Sequence, residues 1–204
     1  MPTTSGNEAD AKALLRRELR QRRRALDTTA QAQAAAAVAC HIDRLPGWSA
    51  LRHIALYRAA DGELDPADIA RRCRDEGRTL YLPRLADGGR LLFSRWTTDG
   101  ELAPNRYGIL EPVASALARE PRDLDLILLP LVGWDRRGRR LGMGGGFYDR
   151  TLAGARPSLL VGLAHDLQEV PRLPEAAWDI SMDYVLTGGG LHRCRGLGPK
   201  DGDG

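Results

Sequence analysis

A chain of 204 residues, 43% hydrophobic and 28% charged, can bury one proper core without being split. Composition excludes several classes: no apolar run approaches transmembrane length, MPTTSGNEADAK lacks the apolar stretch of a secretory signal, and Cys40, Cys73 and Cys194 are too scattered for a disulfide framework or zinc site. A net charge of +3 suits a polyanionic small substrate without demanding nucleic acid, so a cytoplasmic protein with no membrane or nucleic-acid partner is expected.

Residues 8–26 read as a helix, because Leu15, Leu19 and Leu26 recur at helical spacing and Asn7 can cap it. Gln31 to Asp43 reads as a second, Ala-rich helix that ends before the Pro46-Gly47 turn. His53 to Tyr57 is a short strand, and Asp65 then caps a third helix with Pro66 at its first position. Further strands are expected at Thr79–Pro83, Leu91–Trp96, Leu126–Leu131, Leu159–Leu163 and Tyr184–Thr187. Helices alternating with short apolar strands predict an α/β fold: a mixed, largely parallel sheet with helices on both faces, three layers in all. One domain over residues 8–190 is expected, with 191–204 a mobile tail.

The densest chemistry lies between Leu129 and Leu152, in LPLVGWDRRGRRLGMGGGFYDRTL. A buried strand gives way to a loop carrying Asp135, Arg136, Arg137, Arg139 and Arg140, then Gly142, Gly144, Gly145 and Gly146, before helical spacing resumes at Phe147. Glycines let backbone N–H groups converge and let a ligand approach closely. A helix opening after such a loop adds free N–H groups and its positive dipole end, arginines add charge, and an aspartate offers a hard oxygen to Mg²⁺. Most glycine-rich loops are only turns, and this one fits neither GxxxxGK[ST] nor GxGxxG. The run from Asp135 to Arg150 nevertheless favours a nucleotide-phosphate site.

The first helix carries Lys12, Arg16, Arg17, Arg20, Arg22, Arg23 and Arg24 against Glu18 alone. Most of these read as a solvated face. Lys12, Arg16 and Arg20 share one stripe, about 100° round the helix from Leu15 and Leu19 and close to the core edge, where cations could reach a triphosphate. An RNA patch would need interleaved aromatics, which this stretch lacks. His41, His53, His165 and His192 show no metal-ligand spacing.

The pattern Asp135, Gly138, Arg140, Leu141, Gly142, Gly144, Gly146, Phe147, Tyr148, Asp149, Arg150 resembles the signature of the 5-formyltetrahydrofolate cyclo-ligases. Further matches stand in the family's order. They are Lys12-x-x-x-Arg16, Glu63-Leu64-Asp65, Leu82-Pro83, Asn105-x-Tyr107-Gly108-Ile109-x-Glu111-Pro112, Gly162-Leu163-Ala164 with Gln168, and Asp183 before Val185-Leu186-Thr187. The resemblance covers about Ala11 to Thr187.

It implies ATP- and Mg²⁺-dependent cyclisation of 5-formyltetrahydrofolate to 5,10-methenyltetrahydrofolate, with ADP and phosphate released. A formamide is a poor electrophile with a poor leaving group, and phosphorylating its oxygen cures both faults before nitrogen-10 attacks. In a loose phosphoryl-transfer transition state the protein mainly positions reactants and neutralises charge. Arg140 and Tyr148 are accordingly the catalytic candidates. ATP is assigned to Lys12, Arg16, Arg140 and the loop Leu141, Gly142, Met143, Gly144, Gly145, Gly146, Phe147 and Tyr148. The resemblance makes Asp149 and Asp183 the Mg²⁺ ligands, although each could instead be a cap or surface acid. Asp135 is either a third ligand or a loop-closing acceptor. Arg136 and Arg137 read as solvent-facing, and Arg139 as solvent-facing or a phosphate contact.

The folate side is assigned to Glu63, Arg58, Tyr107 and Phe147. Glu63 suits the pterin N–H groups, against a plain reading as a turn acid. Tyr107 is read either as a pterin stack or as a packed aromatic. The partner is a reduced folate, with or without a polyglutamate tail, and a monomer is expected. The chain departs from its relatives at Gly145, where some carry lysine, at Trp178, where many carry histidine, and at Pro66, where threonine is commoner. A nucleotide-binding relative acting on another small substrate stays open, since fold does not fix function.

Overall fold

A computed structural model describes residues 4–113, 116–174 and 179–194. Trp178 and residues 195–204 of the expected tail lie outside the described residues. In chain order the elements are α1 (Thr4–Arg24), α2 (Thr28–His41), β1 (His53–Ala55), α3 (Ala67–Asp75), β2 (Thr79–Ala86) and β3 (Arg90–Arg95). There follow β4 (Leu102–Pro104), β5 (Leu110–Pro112), β6 (Ala118–Arg119), β7 (Leu126–Pro130), β8 (Gly133–Trp134) and β9 (Arg140–Leu141). The chain closes with α4 (Phe147–Leu152), β10 (Leu159–Leu163), β11 (Tyr184–Thr187) and β12 (Gly190–Arg193).

Eight strands form one sheet in the order β12-β11-β10-β7-β1-β2-β3-β6. The middle five, β11 to β2, run parallel, and antiparallel strands finish both edges. The expected mixed, largely parallel sheet is therefore what forms. Its strands are buried on both faces by residue alternation. Ile54, Leu80, Leu82, Leu126, Leu128, Val161 and Leu163 meet Val38 and Ile42 at the end of α2 and Ile69 and Cys73 of α3. Ala55, Tyr81, Ile127, Leu129, Leu160 and Val185 face Trp134 of β8 and Leu152 of the short α4. No helix among the described residues is long and apolar enough to cross a membrane.

Helix α1 covers neither face. Leu19 packs with Val132, Leu141 and Leu173, which sets α1 against the β8–β9 pair beyond the end of β7. Because β1, β7 and β10 run parallel, their carboxyl ends share one edge, where ligands of open α/β sheets bind.

Boundaries differ from the sequence reading where caps decide them. Helix α1 already starts at Thr4, so Asn7 lies inside it rather than capping it. Helix α2 starts at Thr28, three residues earlier than read, because the Asp27 side chain accepts from Ala30 N at 2.7 Å. Helix α3 begins at Ala67, one residue late, although Asp65 does accept from Ala67 N at 2.9 Å. The tail reading needs correction too. After Thr187 the chain turns back as β12, which pairs antiparallel with β11 from Tyr184↔Arg193 to Thr187↔Gly190 and gives that parallel strand an outer partner.

Candidate active site

The glycine loop begins with a buried aspartate. Asp135 follows β8 and is fully buried, and its Oδ1 accepts the N–H groups of Arg137 and Arg139 at 2.9 and 3.2 Å. Its Oδ2 accepts the N–H of Leu173 at 2.9 Å. Of the two roles left open for Asp135, the structure shows the loop-closing one. Gly138 completes this turn at φ +85°, where a Cβ would stand 2.6 Å from the Met182 carbonyl, so no side chain fits.

Strand β9 then delivers the loop 142–146. Helix α1 holds it from one side, with Arg16 Nε donating to the Gly142 carbonyl at 2.8 Å. Arg150 of α4 holds it from the other, donating to the carbonyls of Gly145 at 2.6 Å and of Gly89 at 3.0 Å. Gly146 enters α4 in the left-handed region at φ +63°. At Gly145, where some relatives carry lysine, the space beside the backbone is filled. A Cβ there would lie 2.6 Å from Phe147 Cε2, so the ring occupies the space a lysine stem would need.

The expected phosphate cations are already partnered. Arg140, almost fully buried, donates to Asp149 Oδ1 from both terminal nitrogens, at 3.1 and 2.8 Å. Ile180 N also reaches that oxygen, at 3.3 Å. Lys12 pairs with Asp179 at 3.1 Å. The second expected metal ligand, Asp183, is buried; its Oδ2 accepts Leu160 N at 2.8 Å and its Oδ1 pairs with Arg156 at 2.8 Å. Asp149 and Asp183 thus flank the segment 180–183, each against its own arginine. Among the described residues no group of three or more His, Cys, Asp or Glu side chains is placed to hold a metal.

Across the edge, the loop after β1 carries Glu63. Its N–H closes a turn onto the Ala60 carbonyl at 2.9 Å, and its Oε2 accepts Ala60 N at 3.1 Å. Burial pushes the Glu63 carboxyl above the ordinary range, partly offset by the Ala60 N–H and the charge of Arg23. Glu63 in turn helps raise the hydroxyls of Tyr57 and Tyr148, for which burial is the larger cause. The carboxylate of the β1 loop therefore lies within electrostatic reach of the first turn of α4. Tyr57, which donates to the Leu64 carbonyl at 2.5 Å, is a member of this group that the sequence reading missed.

The β4–β5 hairpin supplies the third wall. Asn105 Oδ1 accepts Tyr107 N and Ile109 N at 2.9 and 3.1 Å, and its Nδ2 reaches Glu111 Oε2 at 3.0 Å. Glu111 also accepts Leu85 N at 3.1 Å, which fastens the hairpin to β2. This framework presents Tyr107, 56% exposed, edge-on to Phe147 at a centroid distance of 5.9 Å. Tyr107 is therefore not the packed aromatic of the plainer reading. Arg58 is exposed and Met143 projects outward from the glycine loop.

Similarity to known proteins decides the family. The sequence matches the 5-formyltetrahydrofolate cyclo-ligase family over residues 8–188. The chain belongs to this family. A 5-formyltetrahydrofolate cyclo-ligase of Haemophilus influenzae is 36% identical over 179 residues, 85% of this chain and 96% of that protein. One from Escherichia coli strain K12 is 38% identical over 174 residues, 83% and 96% of the two chains. The solution structure of an Aquifex aeolicus 5,10-methenyltetrahydrofolate synthetase agrees with a TM-score of 0.80 at 31% identity, covering 95% of each chain. Membership makes the protein an enzyme of the ligase class.

Several cyclo-ligase signature residues turn out to be framework. Asp135 and Gly138 close a loop, and Asn105 and Glu111 build the Tyr107 turn. Gln168 gives its amide to the carbonyls of Leu131 and Val132 at 2.7 and 3.0 Å. Arg23, assigned to the solvated face, is fully buried, donating to the Leu131 carbonyl at 3.1 Å and to Asp61. The available signal was position, for Arg23 continues the Leu15–Leu19 stripe at i+4.

Proposed function

We infer that this chain is a 5-formyltetrahydrofolate cyclo-ligase that consumes ATP with Mg²⁺ and yields 5,10-methenyltetrahydrofolate, ADP and phosphate. One observation carries the reading: beside the glycine loop, Tyr107 of the β4–β5 hairpin meets Phe147 at the start of α4, and the half-buried Glu63 of the β1 loop is near enough for its charge to act on the Tyr148 hydroxyl. That arrangement suits a flat heterocycle with N–H donors placed beside a phosphate chain. Glu63 accepts from the pterin N–H groups, and Tyr107 and Phe147 supply aromatic surface. Arg58 is assigned to the folate as well.

The γ-phosphoryl group passes to the formyl oxygen, nitrogen-10 then bonds the formyl carbon and gives up its proton to solvent, and that oxygen leaves within phosphate. The backbone of Leu141 to Tyr148, with Arg16 and Lys12 on α1, holds the triphosphate. Arg140 stabilises charge that develops in transfer, a role that asks it to divide its N–H donors between Asp149 and the phosphates. Burial and the Glu63 charge hold the Tyr148 hydroxyl protonated, so it acts as a hydrogen-bond donor and not as a base. Mg²⁺ normally takes one or two carboxylates and leaves its other positions to phosphate and water. The donor set fits that habit: Asp149, the more accessible carboxylate, would hold the ion, and Asp183 would join it only if freed from Arg156. The ion would supply charge neutralisation on the phosphates.

The basic first helix does not favour RNA, because Arg16 is bound to the glycine loop and Arg20, Arg23 and Arg24 to Asp61. The reading includes a cytosolic monomer acting on folates with or without glutamate tails. The test is formation of the methenyl chromophore, with ATP consumed only when 5-formyltetrahydrofolate is present. ATP turnover indifferent to that folate would overturn it.

A further inference from the structure

Asp61 is the single non-glycine residue with positive φ among the described residues, at +55°, and Gly62 follows it at +73°. Two left-handed residues in succession make a tight turn, and a non-glycine residue is held there only by its surroundings. Those surroundings are three arginines from one helix. Arg20 Nε and a terminal nitrogen of Arg23 each donate to Asp61 Oδ2 at 2.8 Å, and Arg24 binds Oδ1. Arg23 Nε also takes the Asp61 carbonyl at 3.0 Å. Burial works against this carboxylate's charge, but the bonds from Arg20 and Arg24 and the neighbouring charge outweigh it and hold Asp61 below the ordinary range. His165, kept neutral by burial, donates from Nε2 to the Gly62 carbonyl at 3.2 Å. The residue this turn delivers is Glu63.

The same helix grips the other half of the cleft. Arg16 lies seven positions before Arg23, roughly 10 Å along the axis, and holds the Gly142 carbonyl. Arg23 additionally binds the carbonyl of Leu131, just past β7, where the chain departs for the glycine loop. Helix α1 is thus a strut with one foot on the phosphate loop and the other on the Glu63 turn.

We propose that Asp61, clamped by Arg20, Arg23 and Arg24, is a positioning residue that fixes Glu63 against the phosphate loop for folate binding. The proposal rests on the reading of Glu63 as the folate carboxylate. A merely structural clamp would alter stability alone, or weaken both substrates together. A positioning clamp acts through Glu63 and so acts on the folate.

The test is a double-mutant cycle on the full chain, with KM measured separately for 5-formyltetrahydrofolate and ATP, and melting temperature followed throughout. Asp61→Asn keeps a residue that tolerates the left-handed turn but removes the charge. It should raise the folate KM about tenfold and leave the ATP KM within about twofold. In a Glu63→Ala background the same substitution should add almost nothing, since residues acting through one contact are not additive. If Asp61→Asn proves too unstable to assay, Arg20→Gln, which loosens the clamp from its exposed side, should raise the folate KM about threefold in the same direction. An unchanged folate KM in these variants, or an effect that persists in full without Glu63, overturns the clamp. A Glu63→Ala enzyme with normal folate KM instead overturns the underlying assignment, whatever Asp61 does.

Discussion

The glycine loop and the Asp61–Glu63 turn are both gripped by α1 and owe their shapes to opposite means. The loop owes its path to residues that lack side chains. Gly138 leaves room for the Met182 carbonyl, Gly145 for the Phe147 ring, and the backbone carbonyls are gripped by arginines from outside. The turn owes its path to a residue in an unfavoured conformation, held by charge. A loop shaped by absence of side chains leaves its backbone open to close approach. A turn shaped by specific ion pairs presents one carboxylate in one place. The first arrangement suits a nucleotide common to many enzymes, and the second suits discrimination of one substrate.

Breaking the phosphate side should have the largest effect. Arg140→Ala should lower turnover by about a hundredfold or more with the fold retained by circular dichroism, because it removes charge stabilisation in the transition state. Arg137→Ala, outside the buried pair, should change turnover less than about twofold. Equal effects would mean that Arg140 serves only Asp149.

Breaking the folate side should cost less and fall on one substrate. Glu63→Ala should weaken 5-formyltetrahydrofolate binding at least about tenfold, near 1.4 kcal/mol, and leave ATP affinity nearly unchanged by calorimetry. Collapse of ATP affinity with folate affinity intact would invert the two half-sites.

The metal should separate two carboxylates of unequal exposure. Asp149→Asn should raise the Mg²⁺ concentration for half activity several-fold, a few times more than Asp183→Asn, because a carboxamide lacks the charge a hard cation prefers. Asp183→Asn should instead register mainly in melting temperature, through Arg156 and Leu160. Unchanged Mg²⁺ dependence in both would leave the metal to the phosphates alone.

The smallest effect sharpens the folate side. On the proposed reading Glu63 binds the pterin N–H groups in its ionised form, and burial raises its pKa. Folate binding should therefore weaken as pH falls, starting at higher pH than for an ordinary glutamate. The sign for stability is opposite: a raised acid favours the folded state in its protonated form, and that gain fades as pH rises through the folded pKa. Glu63→Gln should remove the acid limb from a folate KM profile, and a limb that persists belongs to another group.

Much was legible because local physics wrote it. Short continuous apolar runs, buried on both faces, marked β7 and β10, and the expected largely parallel sheet follows from alternating helices and strands. The glycine loop was legible because its residues are adjacent in the chain. Arg23 and Asp61 were not, since they meet across 38 positions and no local spacing marks that encounter. Strand β12 escaped for a related reason: a short polar segment becomes a strand only when an unpaired edge, here β11, accepts it.

The sequence by itself therefore determined the family, the sheet and the residue types of the candidate site. These follow from chain-adjacent motifs and from hydrophobic period. Only the tertiary structure decided how those residues are spent. Asp135 could have been a ligand until three backbone N–H groups closed on it, and the arginines of α1 could have been a solvated face until Asp61 and Gly142 took them up. A charge carries no partner in its sequence position, because Coulomb attraction depends on distance in space and on burial, and both are set by the packing of the whole domain.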